Sequence, residues 1–171
     1  MTAAVWPSRD AIFVVAEPII MTFESFRARP YLCSAGKPTI GYGTTRYPSG
    51  VKVTLADKPC SETEGRVYLR YSMGRVLADL QKPGMVTRSP TVKQAAALLS
   101  LAYNCGVGAH DGVKGDIADS TLLARFNSGE IQACADQFLL WNKARVGGVL
   151  QSVSGLTNRR RAERLLFLAP A

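Results

Sequence analysis

Residues 24–43 read ESFRARPYLCSAGKPTIGYG, and this stretch decides the fold. An acid at Glu24, a thiol nine residues on at Cys33 and a hydroxyl six further at Thr39 lie where a helix gives way to a strand, a turn and a returning strand. Pro30 lacks a backbone donor and pushes Arg29 out of the α region, so the helix carrying Glu24 is expected to stop ahead of it. Glu24 then sits near a helix C-terminus, where unpaired carbonyls carry partial negative charge and disfavour the ionised carboxylate. A carboxyl that keeps its proton near neutral pH suits a proton donor, which makes Glu24 a candidate general acid.

Upstream, Ser8 and Asp10 offer caps for a first helical stretch, and Pro18 fits the first turn of the helix leading to Glu24, where a missing donor costs nothing. Downstream, residues 31–33 read as a short strand, 34–37 as a turn and 39–43 as the returning strand. A second turn at 47–50 leads into 51–54, whose apolar and polar positions alternate as a third strand would. Ser61 and Glu64 are spaced as a capping box and open a long helix that ends near Pro83-Gly84, with Val67, Tyr71, Val76, Leu77 and Leu80 as its apolar repeat. A helix of ~20 residues spans roughly 30 Å, enough to join two lobes. Everything after it reads as helical, over 89–103, 120–126, 131–141 and from Asn158 onward. The expected fold class is α+β in a single domain. A small three-stranded antiparallel β lobe (about 31–60) is joined by a connecting helix (61–82) to a larger helical lobe formed by 1–29 with 83–171.

A chain of 171 residues with 47% apolar and 20% charged content can bury one substantial core. Its net charge of +8 attracts polyanions at low salt, whether nucleic acid, a phospholipid surface or an anionic cell envelope. The one histidine, His110, argues against hydrolytic zinc sites, which usually draw two or more ligands from histidine. It sits in a stretch that reads as a surface loop, and no metal or cofactor is expected. The four cysteines, 33, 60, 105 and 134, are scattered and lack CxxC spacing, so they read as thiols, Cys105 and Cys134 in the core. A Cys33–Cys60 bridge is the one conceivable exception. The apolar run at 11–16 is broken by Glu17 and Pro18, far short of the ~20 residues of a membrane span, so a soluble cytoplasmic protein is expected.

Glu24, Cys33, Thr39 and the following Ile40-Gly41-Tyr42-Gly43 do not stand alone. AYNCGVG at 102–108, Asp136-Gln137-Phe138 with Trp141-Asn142-Lys143, and GLTNRR at 155–160 follow in order. Together they resemble the phage-type lysozymes, the endolysins of glycoside hydrolase family 24, over about residues 11–168. The resemblance implies a two-lobed fold with the active cleft between the lobes. It also implies a muramidase that cuts the β-1,4 bond between N-acetylmuramic acid and N-acetylglucosamine in peptidoglycan to lyse a host bacterium.

By the same resemblance Glu24, Cys33 and Thr39 are the catalytic residues, with Cys33 where many relatives have aspartate and others cysteine. Cys33 would act as a neutral thiol that positions water, as a thiolate base or as a nucleophile, and inversion and retention both stay open. Arg159 matches an arginine that approaches the catalytic glutamate. Asn104, Tyr42 and Trp141 are supporting candidates at the cleft, the two aromatics reading also as core. The implied partners are peptidoglycan and a holin that lets a monomeric enzyme out of the host cytoplasm to the wall in the periplasm. Weak attraction to anionic envelope surfaces is expected, and no specific nucleic acid. Three alternatives are an interbacterial effector with the same chemistry, a cationic membrane-active protein using Arg159, Arg160, Arg161 and Arg164, and a non-catalytic wall-binding module.

Overall fold

In the computed structural model, which describes residues 4–33, 36–110 and 116–170, the first element is a single helix, α1 (Arg9–Glu24). Ser8 caps it, its hydroxyl accepting from Ala11 N at 3.2 Å. Pro18 lies inside this helix and does not start a second one. The buried face of Ile12, Phe13, Ala16, Glu17 and Ile20 runs straight through, and continuous burial offsets the one backbone bond that exposed Pro18 cannot donate. The helix also ends earlier than Pro30 requires. Ser25 turns out of it at φ 53°, its N–H still bonded to Met21 O, and the chain enters β1 (Arg27–Leu32). Pro30 sits within that strand, in the irregular stretch between Arg27 and Tyr31 where the ladder register shifts, so its missing donor breaks no ladder bond.

β1 pairs antiparallel with β2 (Pro38–Gly41), Tyr31 opposite Thr39 and Leu32 opposite Pro38. The expected third strand does not form. Residues 51–54 contribute one isolated bridge, Arg46 to Lys52, although the turn at 47–50 is present, with Gly50 N bonded to Tyr47 O. Asp57 explains the difference. Its carboxylate accepts from Thr54 N, Thr54 Oγ1 and Tyr47 OH, a local side-chain network that competes with a ladder. Ile40, Val53 and Cys60 make a small core under this lobe, with Phe26, Tyr47 and Tyr68 against it.

α2 (Glu62–Leu80) opens on the expected capping box, both hydrogen bonds between Ser61 and Glu64 being made. Its buried residues are Gly65, Leu69, Met73, Leu77 and Leu80, while Val67 and Tyr71, counted in the expected apolar repeat, are exposed. α3 (Val92–Cys105) starts after a second capping box, Thr91 with Gln94, and is buried all round from Ala95 to Ala102. It packs against α1, α2 and α6 (Ser154–Leu168), which makes it the axis of the helical lobe. α4 (Thr121–Asn127) and α5 (Ile131–Phe138) pack on each other and close the core around Phe126, Phe138 and Phe167.

Between α5 and α6, in the gap left between the expected helices over 131–141 and from Asn158, the chain forms strands that were not expected. β3 (Lys143–Val146) and β4 (Val149–Ser152) form a hairpin whose two turn residues, Gly147 and Gly148, both have positive φ, as such a tight turn demands. All four cysteines are thiols, so no Cys33–Cys60 bridge exists. Cys134 lies in the core, where burial pushes its thiol up to about 12. Among the described residues no helix is long and apolar enough to cross a membrane, and no cluster of three or more His, Cys, Asp or Glu side chains is placed to hold a metal ion.

Candidate active site

Glu24 is the last residue of α1, and the turn at Ser25 leaves its side chain facing the helical lobe. Oε1 accepts from Arg159 Nη1 at 2.6 Å across 135 residues of sequence, with 20% of the Glu24 side chain exposed and 3% of Arg159. Oε2 lies against the backbone of Gly43, where an added Cβ would sit 3.1 Å from it. The Tyr103 hydroxyl donates to Tyr42 O beside the same glycine. Burial first, and then the Glu24 charge, push that phenol upward. The acid is thus walled by a glycine, a neutral phenol and a guanidinium.

Arg159 is held on three sides. Nε donates to Glu163 Oε1 at 3.0 Å, Nη2 to Ser100 O at 3.1 Å, and Nη1 to Glu24. Glu163 is fully buried and accepts also from Ser100 Oγ and Arg160 Nη2. Burial pushes its carboxyl up, and Arg160 and Arg159 pull it back. Arg160 Nε stands 2.8 Å from Glu163 Oε2 as an ion pair whose N–H direction misses the contact, leaving both atoms without a hydrogen bond. A continuous cationic face on α6 is therefore corrected, since Arg159 and Arg160 are internal and Arg164 pairs with Asp136.

The second half of the site comes from the hairpin. Tyr31 is registered opposite Thr39, and Cys33 follows two residues later, so period-two alternation gathers all three on one sheet face. Thr39 is 2% exposed, and its hydroxyl donates to Lys37 O at 2.9 Å, leaving lone pairs to accept. Arg27 stacks 4.3 Å from the centre of the Tyr31 ring. Burial pushes the Tyr31 phenol up, Arg27 pulls it back, and charge on Glu24 and on Cys33 pushes it up again. Glu24 and Cys33 therefore both lie within electrostatic reach of Tyr31.

The supporting candidates divide differently. Tyr42 is 4% exposed, its ring tilted on Phe26 at 5.4 Å and its hydroxyl donating to Glu62, so its side chain is core and does not wall the Glu24 side. It borders instead a separate cavity of about 700 Å³ that Glu17, Arg66 and Arg70 also line. Trp141 is half-buried against the core of the helical lobe. Asn104 is exposed at the end of α3, its carboxamide meeting the Cys105 thiol. His110 is tied to Asp119 and Gly84 O, among groups unrelated to Glu24. Tyr31, Ser100, Tyr103 and Glu163 escaped the sequence reading, which held Gly43 only as a glycine allowing a tight turn or close backbone approach. Two had a signal there, Tyr31 two residues before Cys33 on a strand and Glu163 four after Arg159 on a helix.

Residues 21–163 match the family described as phage lysozyme. The chain belongs to the phage lysozyme family. An endolysin of Acyrthosiphon pisum secondary endosymbiont phage 1 is 32% identical over 149 residues, 87% of this chain and 92% of that one. The SAR-endolysin of Pseudomonas phage phiKMV is 29% identical over 167 residues, 96% and 93% of the two chains. Among solved structures, the endolysin from Escherichia coli O157:H7 phage FAHEc1 superposes with a TM-score of 0.76 at 32% identity, covering 94% of this lysozyme and 92% of that chain. The α+β class expected from sequence is met, with two strands in the first sheet where three were expected.

Proposed function

We propose that Glu24 protonates the glycosidic oxygen while Cys33 and Thr39 hold the attacking water on the opposite face of the sugar. The enzyme is a phage endolysin with muramidase activity, and the bond cut is the β-1,4 link between N-acetylmuramic acid and N-acetylglucosamine. The observation that carries the assignment is the placement of Glu24 at the end of α1, its side chain only 20% exposed, with buried Arg159 orienting it at 2.6 Å. The Arg159 contact holds one carboxyl oxygen, Oε1, and turns Oε2 toward Gly43, the oxygen from which a proton would pass to the sugar. Thr39, its own proton spent on Lys37 O, accepts from water, and the Cys33 sulfur completes the seat.

The test is release of new reducing ends from purified sacculi. Glu24→Gln is expected to lose roughly 100- to 10,000-fold in rate, while Cys33→Asp retains activity. A fully active Glu24→Gln protein would sink the assignment. We further propose that the enzyme waits in the host cytoplasm until a holin opens the way to the wall. What supports this is that the apolar residues ahead of Glu24, Ile12, Phe13, Ala16 and Ile20, are spent in the protein core. Cells expressing the enzyme alone should stay intact and lyse promptly on co-expression of a holin; equal lysis without one overturns this step.

A further inference from the structure

Behind the Arg159 that touches Glu24 lies a second buried guanidinium, Arg160. The two are adjacent in sequence, and Glu163 joins both from the following turn of α6. Glu163 Oε1 gathers Ser100 Oγ at 2.6 Å, Arg160 Nη2 at 2.9 Å and Arg159 Nε at 3.0 Å. Two positive charges and one negative charge therefore present a net of one positive charge to Glu24. We infer that Glu163 is a positioning residue for the acid: it holds Arg159 against Glu24 and cancels one guanidinium charge, thereby setting the pH range over which Glu24 keeps its proton. The inference rests on the reading of Glu24 as the proton donor.

The other groups that face this cluster do not supply that control. From α3 come Tyr103 and Cys105, the latter accepting from Arg160 Nη1, and from β1 comes Tyr31; burial pushes each of these phenols and thiols upward, so all are neutral at working pH. Arg27 of β1 is spent on the Tyr31 ring. Glu17, two turns back along α1, is paired by Arg66 and Arg70 of α2. Asp136 of α5 is paired with Arg164 on the outer side of α6. The variable charge inside is left to Arg159, Arg160 and Glu163.

Opposite excisions should then move the enzyme in opposite directions. Glu163→Gln leaves two positive charges facing Glu24, favours its ionised form, and should shift the high-pH limb of kcat/KM on purified peptidoglycan down by about one pH unit. Arg160→Met leaves no net charge and should shift the same limb up, while the double variant returns toward the parent. A purely structural role would lower activity and stability in both single variants with the limb unmoved. Should either single variant fail to fold, the sign of the other decides. Ser100→Ala, which removes one donor from Glu163 and keeps the ion pairs, should move the limb in the direction of Glu163→Gln. Glu24→Gln runs alongside: an active Glu24→Gln enzyme defeats the acid assignment itself. An inactive one, with limbs that stay put or move the same way in Glu163→Gln and Arg160→Met, overturns the role of Glu163.

Discussion

Gly43 has φ +85°, a conformation that costs an L side chain about 1–2 kcal/mol. An added methyl there would also stand 3.1 Å from Glu24 Oε2. Gly50 has the same φ with nothing within 4 Å, so the pair separates backbone strain from displacement of the acid. Gly43→Ala and Gly50→Ala should lose similar stability, about 1–2 kcal/mol by urea unfolding. Only Gly43→Ala should lose kcat, roughly ten- to hundredfold, with KM little changed. Equal loss of activity in both would refute the crowding of Glu24.

Legibility at this scale followed charge and burial. Glu24 and Arg159 were readable as partners because the landmarks around them matched a family. Arg160 and Glu163 were not, since sequence gives no sign that a charge has left water, and charged residues are almost never fully buried unless paired. Tyr42 read both as a cleft wall and as core, because a glycine-flanked tyrosine looks available, and its packing on Phe26 selects the core reading.

Among elements, the contact of β2 with α2 is set by two glycines. A Cβ built on Gly41 lies 3.2 Å from Gly65 Cα, a backbone atom with no rotamer to give way, and Gly41 has φ +63°. Gly41→Ala should therefore cost about 2–4 kcal/mol, combining strained φ with overpacking, as a lowered urea midpoint would show. A loss below 1 kcal/mol would mean that the β lobe can swing away freely. The long helix was legible because Ser61 and Glu64 spell its start and its burial repeats every turn. The β3–β4 hairpin was not, although Gly147-Gly148 between valines is a turn signal. Its residues are exposed on nearly all sides, so no buried face imposes the alternation by which strands are recognised. Pro18 misled in the opposite way, because the pull of a continuous apolar face outweighed a local breaker.

For the molecule as a whole, the single histidine offers a clean pH readout. His110 Nδ1 lies 3.1 Å from Asp119 Oδ1, and this contact, ahead of its bond to Gly84 O, holds the imidazole above its ordinary value of 6.5. A histidine pKa raised by folding contributes stability that is complete below pH 6.5 and disappears as pH rises through the raised value. Unfolding free energy should therefore decline gently above pH 6.5 in the parent and stay level in His110→Asn, measured by denaturant titration at several pH values. A rise in the parent over that range would contradict the contact. Arrangement at this scale was largely readable: the order of helix, hairpin, long helix and helical bundle followed from caps, prolines and apolar spacing, while the packing of α6 across the end of α1 followed only from the family resemblance that paired Arg159 with Glu24.

That packing governs when the grip on Glu24 can form. The residue gripping Glu24 lies 135 positions after it, on α6. A partly synthesised chain, or one cut short before α6, lacks this clamp, so the grip on Glu24 forms only after both ends of that 135-residue span have been made and folded together.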